Sequence, residues 1–476
     1  MTSILSAGRV PHLIAIAALS VLAAFIAWPA FGFPPSLPPF GPDNVFALEL
    51  GTYADPGIFF SSAEQVWRPL TYSSLWAQYQ ISGLDLGAFF GVNIVLWIAC
   101  AAVVYALVYA HTHLVLAAAA AAFITLTDDR MFSPLVLIIE RQSALAAIFG
   151  LMALLVAHQC ARRERRGRGY LAAVFVLLFL AAISKEFGLA FAFGVAAIGL
   201  LNRRRDVLAV GFGALIAYGV VRGLIGGFVF GGGVEASDGF KETSSDTGLC
   251  ETMGYGANPR DICYGELTTL EELAQFAWNV GASFVAIFVP TVISSTGYLL
   301  APDFLATTLG GPDDYAGFLV ASLILPSVVT GLAVVAFLKR PATTLPLLVV
   351  IVANALLCFQ YYRPRLVIVG MVALHVAAGI GIPPTLEILK KQLRRLGARI
   401  ETAVRPLRPS GPSLLIVVLL LATGGAVISR SVALADDLEG FRESHEVRDP
   451  CDAAEVYDVS DMPNRLKEKF GLPGRC

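Results

Sequence analysis

The sequence predicts an all-α, polytopic membrane protein with about eleven transmembrane helices, and three observations carry that expectation. Hydrophobic residues make up 56% of the 476-residue chain and charged residues only 15%. Mean hydropathy is +0.70. Apolar runs long enough for a hydrocarbon core of about 30 Å recur from one end of the chain to the other.

The apolar segments run, in order, over 11–32, 86–110, 113–127, 133–158, 169–184, 186–201, 207–229, 315–338, 341–358, 364–382 and 412–430. The first reads as a signal anchor, because no clean small-residue cleavage site precedes Phe33 and further spans follow. Segments 113–127, 169–184 and 186–201 fall short of the roughly 20 residues of a perpendicular span. The apolar stretch 273–297 fits no crossing, since a full span there would put Lys339 and Arg340 on the wrong side. It reads as an interfacial or re-entrant segment broken near Pro290.

Orientation follows from the excess of Lys and Arg in cytoplasmic loops. Residues 162–168 hold five Arg, 203–205 three, 339–340 one Lys and one Arg, and 390–408 two Lys and five Arg. The alternate loops are acidic, with nine acids against two basic residues in 230–272. A cytoplasmic amino terminus and a periplasmic carboxyl terminus, in a cell inner membrane, put every basic loop on one side. The organisation expected is a transmembrane catalytic domain over 1–430, with outer loops 33–85 and 230–314, and a short outer tail over 431–476.

Cysteine placement agrees with that topology. Cys100, Cys160 and Cys358 fall within or at the end of spans, where a thiol acts as a small apolar group. Cys250 and Cys263 share one outer loop, and Cys451 and Cys476 share the tail. An oxidising outer compartment predicts Cys250–Cys263 and Cys451–Cys476 disulfides.

Charged residues beside or within apolar runs mark the candidate site, because charge near hydrocarbon is costly unless buried in protein, paired, or lining a polar cavity. The first outer loop carries Asp43, Glu49 and Asp55, any of which could take a proton from an acceptor hydroxyl. It reads as irregular, without helical periodicity. Arg68 follows Trp67 and precedes Pro69, which fixes the local turn around a guanidinium fork suited to carboxylate or phosphate. Glu140 and Arg141 lie inside the fourth span, and adjacent helical residues do not face one another, so each should pair with a different helix. Lys185 and Glu186 occupy the tight connection between two apolar runs and put a cation and an anion at the rim of a cavity. Arg222 in the seventh span and Arg363 between the ninth and tenth add further guanidiniums. His375 reads as a packed core histidine, since no second His or Cys stands at metal spacing. His111 and His113 read as loop residues.

The chain lacks a phosphate-binding glycine loop, a dinucleotide fingerprint and a kinase motif set. A net charge of −2 gives no nucleic-acid footprint. A transferase built on these residues needs a donor that arrives within the membrane.

The order of motifs resembles the GT-C membrane glycosyltransferases, and is most similar to protein O-mannosyltransferases of the transmembrane-and-tetratricopeptide-repeat kind. The matching pieces are Pro42-Asp43-Asn44-Val45, Trp67-Arg68-Pro69-Leu70, Asn93, Glu140-Arg141-Gln142-Ser143-Ala144-Leu145 and Ile183-Ser184-Lys185-Glu186-Phe187-Gly188. They cover roughly residues 40–200, and no tetratricopeptide repeat follows the last span. The resemblance implies a polyprenyl-phosphate sugar donor, inverting transfer at the outer face, and Asp43 as the base. Asp43-Asn44 stands where the family commonly has two acids in a row, which keeps Glu49 and Asp55 as rivals and leaves a divalent metal open.

The function expected is therefore transfer of a sugar from a polyprenyl-phosphate donor to the hydroxyl of a glycan, lipid or protein acceptor. Arg68 and Arg141 would organise the site; Lys185, Glu186, Arg222 and Arg363 would stand at the donor phosphate. Two rivals remain: a transporter or flippase for an anionic lipid or solute, and a polymerase or ligase using a pyrophosphate-linked glycan. The transporter would require an inverted repeat with discontinuous helices near mid-membrane, and no such symmetry is visible.

Overall fold

The computed structural model describes residues 12, 67–83, 85–128, 138–162, 167–226, 269–288, 325–358 and 367–400. Asp43, Arg363, Cys250, Cys263, Cys451 and Cys476 lie outside the described residues, as do segments 11–32 (apart from His12) and 412–430 and the break expected near Pro290. Every regular element among the described residues is helical. In chain order they are α1 (Pro69–Ser82), α2 (Leu86–Thr112), α3 (Val115–Thr127), α4 (Arg141–Arg162), α5 (Arg168–Ser184), α6 (Leu189–Leu201), α7 (Arg205–Gly226), α8 (Thr269–Phe288), α9 (Leu325–Lys339), α10 (Pro341–Leu357) and α11 (Ile368–Ile400).

Among the described residues, four stretches are long and apolar enough to cross a membrane: Gly87–Thr112, Ile138–Ala161, Arg205–Leu224 and Ile368–Gln392. Val115–Thr127, Arg168–Ser184, Glu186–Leu201, Pro326–Lys339 and Pro341–Leu357 are apolar but shorter. On α7 the side chains of Phe212, Ile216, Val220 and Leu224 repeat every fourth residue and are all exposed. An apolar stripe of that spacing suits a helix with lipid on one face.

The core is assembled from small residues as much as large ones. Ala118, Ala121, Ala146, Ala147, Ala157, Ala373, Ala377 and Ala378 are buried in one continuous cluster with Val104, Leu151, Phe191, Val350 and Leu374. Small side chains let backbones approach, which substitutes for the hydrophobic drive that lipid removes. Gly381 is the clearest case: a Cβ there would lie 2.0 Å from the Leu332 carbonyl oxygen, so only glycine lets α11 sit on α9. α11 runs through the middle, with Val372, Leu374, Val376 and Ile380 fully buried.

Two sequence expectations need correction. The first outer loop is not wholly irregular, because α1 occupies Pro69–Ser82. Pro69 is suited to the first helical position, and Thr71, Tyr72, Leu75 and Gln78 form its buried face. The basic stretch beginning at residue 390 is not a loop at its start; α11 continues through Pro383 and Pro384 to Ile400. Glu140 closes a 3₁₀ turn over Ile138–Glu140 that leads directly into Arg141, the first residue of α4. α8 covers most of the 273–297 segment and packs Ser283, Ala286 and Ile287 inward while Phe284 and Val285 stay exposed.

Candidate functional site

One end of the bundle concentrates polar residues, and local backbone signals put them there. Arg68 is the residue before α1, and Pro69 starts that helix. The Thr71 hydroxyl donates to the Ser184 carbonyl at 2.9 Å, which ties α1 to the end of α5. Lys185 is extended and ends α5, and a 3₁₀ turn over Glu186–Gly188 leads into α6. A Cβ on Gly188 would fall 2.3 Å from the Ala181 carbonyl oxygen, so glycine is what lets this turn fold against α5.

Arg68 spans the cluster. Its Nε donates to Glu186 Oε2 at 2.9 Å and its second terminal nitrogen to Glu186 Oε1 at 2.5 Å, a bidentate pair. Its other terminal nitrogen donates to Gln142 Oε1 at 2.6 Å. Side-chain exposure is 10% for Arg68 and 32% for Glu186, so this pair reaches the protein surface. Two fixed N–H···O bonds give the guanidinium a defined plane.

Behind it, Lys185 Nζ meets Glu140 Oε2 at 3.0 Å, Glu140 Oε1 at 3.4 Å and Ser143 Oγ at 2.7 Å. Both charged side chains are 1% exposed. The Ser143 hydroxyl donates in turn to Glu140, and the Gln142 amide lies 3.5 Å from Glu140 Oε1. Arg68, Gln142, Glu140 and Lys185 thus form one connected chain of hydrogen bonds.

Arg141 turns the other way, as its adjacency to Glu140 requires. Its Nε donates to Asn93 Oδ1 at 3.0 Å, and its terminal nitrogens reach Gln78 Oε1 and the carbonyls of Ser74 and Phe89, the latter two at 3.3 Å each. Its guanidinium carbon also lies 5.7 Å from the centre of the Phe89 ring. Arg141 therefore joins α1, α2 and α4 through neutral acceptors. Arg222 is half-buried in α7, one turn beyond Tyr218. The Tyr218 ring centre lies 5.9 Å from that of Trp67, the neighbour of Arg68.

Among the predicted site residues, the structure thus gathers Arg68, Lys185 and Glu186 directly, sets Arg141 beside them through Glu140, and brings Arg222 near through Tyr218. Gln78, Gln142 and Ser143 were given no role by sequence reasoning. Polar side chains inside apolar helices were the available signal. His375 does pack in the core, where its Nε2 lies 2.9 Å from Asp128 Oδ2 with both side chains fully buried. The Asp128 partner was missed, since 247 residues separate the two. His111 is not a loop residue: it belongs to the last turn of α2 and stacks near His158. Among the described residues no group of three or more His, Cys, Asp or Glu could hold a metal ion. Cys100, Cys160 and Cys358 are buried and form no disulfide among the described residues.

Outside the membrane spans, Arg204 donates twice to Asp206, at 3.0 and 2.9 Å. That hydrogen bonding holds the Arg204 guanidinium above its ordinary pKa.

A helical membrane bundle with a buried, cation-rich polar end defines the class, and comparison with solved structures narrows it. No protein-family model matches the chain, and no curated protein matches it. The fold is similar to that of the archaeal oligosaccharyltransferase AglB from Archaeoglobus fulgidus. Its structure in complex with an inhibitory peptide and a dolichol-phosphate aligns at a TM-score of 0.51 and 13% identity, over 88% of this chain and 56% of that one. The structure of the Archaeoglobus fulgidus oligosaccharyltransferase tethered to an acceptor peptide containing the NVT sequon aligns at 0.50 and 14% identity, over 88% and 55%. The chain spans little more than half the length of these proteins, and at such identity the likeness is one of fold.

Proposed function

We propose that the protein is a GT-C glycosyltransferase of a cell inner membrane, moving a sugar from a polyprenyl-phosphate donor to an acceptor hydroxyl on the outer face. One observation carries the reading within this fold: among the described residues, the polar end of the bundle gathers the cations Arg68, Arg141 and Lys185 with the carboxylates Glu140 and Glu186. Among the described residues three cations stand with two anions there, and Arg222 lies nearby. Fixed positive charge beside lipid suits an anionic lipid phosphate, and stabilising such a leaving group is typically worth several kcal/mol.

In the reaction, the bond between the anomeric carbon and the phosphate oxygen breaks while the acceptor oxygen bonds to that carbon from the opposite face. The sugar inverts, the acceptor proton passes to the Asp43 carboxylate, and polyprenyl phosphate departs. Arg222 and Arg363 are assigned to the departing phosphate. Arg68, held in plane by Glu186 and Gln142, organises the site. Lys185 already meets Glu140 and Ser143 and contributes its charge from behind, while Arg141 fixes α1 against α2 and α4.

The oligosaccharyltransferase of similar fold was solved with dolichol-phosphate, a carrier lipid of the class assigned here. That likeness also favours a second reading, transfer of an oligosaccharide from a pyrophosphate-linked donor. Purified protein in proteoliposomes, offered polyprenyl-phosphate sugar or a pyrophosphate-linked glycan with a hydroxyl acceptor, distinguishes them by which donor is consumed. Asp43→Asn should abolish transfer while donor binding stays nearly intact. Full activity in that variant moves the base elsewhere, and movement of donor across the bilayer without transfer replaces the enzyme by a transporter.

A further inference from the structure

A second polar site lies at the opposite end of the bundle. From Asn93 to His111 along α2 the rise is about 27 Å, and from Arg141 to His158 along α4 about 26 Å, at 1.5 Å per residue. There a cavity of about 210 Å³ opens between helix ends, with His111, His158, Asn202 and Thr343 in its wall. Leu107, Leu154, Ile198 and Leu347 complete the wall with apolar surface. The two imidazole rings approach to 4.0 Å between centres, tilted by 56°.

Basic residues flank the wall residues in the chain. Arg203 and Arg204 directly follow Asn202, and Arg340 stands two residues before Ala342, another wall residue. Arg204 also donates to the Cys160 carbonyl at 3.2 Å, two residues beyond His158. Asp206, the carboxylate nearest these in sequence, is engaged by Arg204. α10 begins at this cavity with no acidic residue in its first turn and no side-chain cap, so the positive end of its dipole adds to the field. Imidazole nitrogens, a hydroxyl and an amide in partly apolar walls, at the start of a helix, favour a compact oxyanion.

We propose that this cavity binds a phosphate monoester anion, held by His111 and His158 with Asn202 and Thr343. The ligand chemistry is shared by a lipid headgroup and by a soluble phosphate ester arriving from the side of the arginine-rich loops. The site is separate from the Arg68 cluster and stands whether or not the transferase reading does.

The test uses the full chain in phosphatidylcholine nanodiscs and follows thermal unfolding in two arms. One arm titrates inorganic phosphate; the other replaces part of the lipid by phosphatidic acid, with phosphatidylglycerol, a phosphodiester, as its control. Saturable stabilisation in either arm is expected, and the responding arm assigns the soluble or the lipid source. His111→Phe with His158→Phe should raise the apparent Kd at least tenfold. Should that pair fail to fold, Thr343→Val and Asn202→Asp should each raise it at least threefold. No saturable response in either arm overturns the proposal, and so does an unchanged Kd in folded variants.

Discussion

Replacing Lys185 by methionine tests whether the Glu140–Lys185 pair is a buried lock or a solvated contact. The ammonium is 1% exposed and meets both Glu140 oxygens and the Ser143 hydroxyl. Methionine fills similar volume but removes the charge that faces the Glu140 carboxylate, while the Ser143 hydroxyl and a Gln142 amide at 3.5 Å stay in place. Breaking a buried pair by removing one partner costs about 3–5 kcal/mol, because an uncompensated charge stays inside. Removing both charges does not incur that cost, so Glu140→Gln combined with Lys185→Met should recover to within about 1 kcal/mol of the parent. The expected coupling energy is then at least about 2 kcal/mol, well beyond the roughly 0.5 kcal/mol scatter of independent sites. The assay is reversible unfolding of all four members of the cycle in mixed micelles. Single substitutions that each cost under about 1 kcal/mol and add without coupling would refute the reasoning, because water or another group would then be neutralising Glu140.

Arg141→Lys should destabilise by about 2 kcal/mol in the same assay, since one ammonium cannot serve Asn93, Gln78 and two carbonyls together and an orphaned buried acceptor costs about 1–3 kcal/mol; a neutral outcome would mean these acceptors find water. Gly188→Ala should cost about 1–3 kcal/mol through overpacking against the Ala181 carbonyl, 2.3 Å from the added carbon, and an unchanged stability would show that the turn can shift freely. Reduction should change the electrophoretic mobility of the intact protein if Cys250–Cys263 and Cys451–Cys476 are bridged. Unchanged mobility with all seven thiols alkylatable removes both bridges and, with them, the cysteine argument for orientation.

The parts of the fold that could be read from sequence are those set by hydropathy over a long window. Segments 86–110, 169–184, 186–201 and 341–358 fall within two residues of α2, α5, the turn with α6, and α10, because the apolar run and the helix end at the same charged or turn-forming residues. α1 was hidden because its apolar and polar residues follow no helical period, so its 14 residues look like loop when the partner surface is unknown. α11 outran its apolar segment because its second half satisfies backbone bonds locally while its side chains turn polar; hydropathy marks where a helix leaves an apolar medium, not where it stops. At the site, single charges in apolar runs pointed to Arg68, Arg141, Lys185 and Glu186. Their partners were less visible: Gln78 and Gln142 are common polar residues, and only three-dimensional contact gives them meaning.

The division of labour in the cluster follows from how many acceptors each cation already has. Lys185 carries three donors and meets three acceptor atoms, all of them buried, so its hydrogen-bonding capacity is filled by protein. Arg141 has five donors and four named acceptors, again inside the bundle. Neither can reach a substrate without breaking bonds whose loss costs kilocalories, whereas Arg68 shares the one carboxylate of the cluster that is a third exposed. An incoming phosphate could therefore compete with Glu186 for the Arg68 fork far more cheaply than with Glu140 for Lys185. Glu186→Gln separates the two: weakening its hold on Arg68 should change donor KM more than stability, while Glu140→Gln should do the reverse. Equal losses of stability in both variants would place the Arg68–Glu186 pair among the structural contacts and move donor recognition to Arg222 and Arg363.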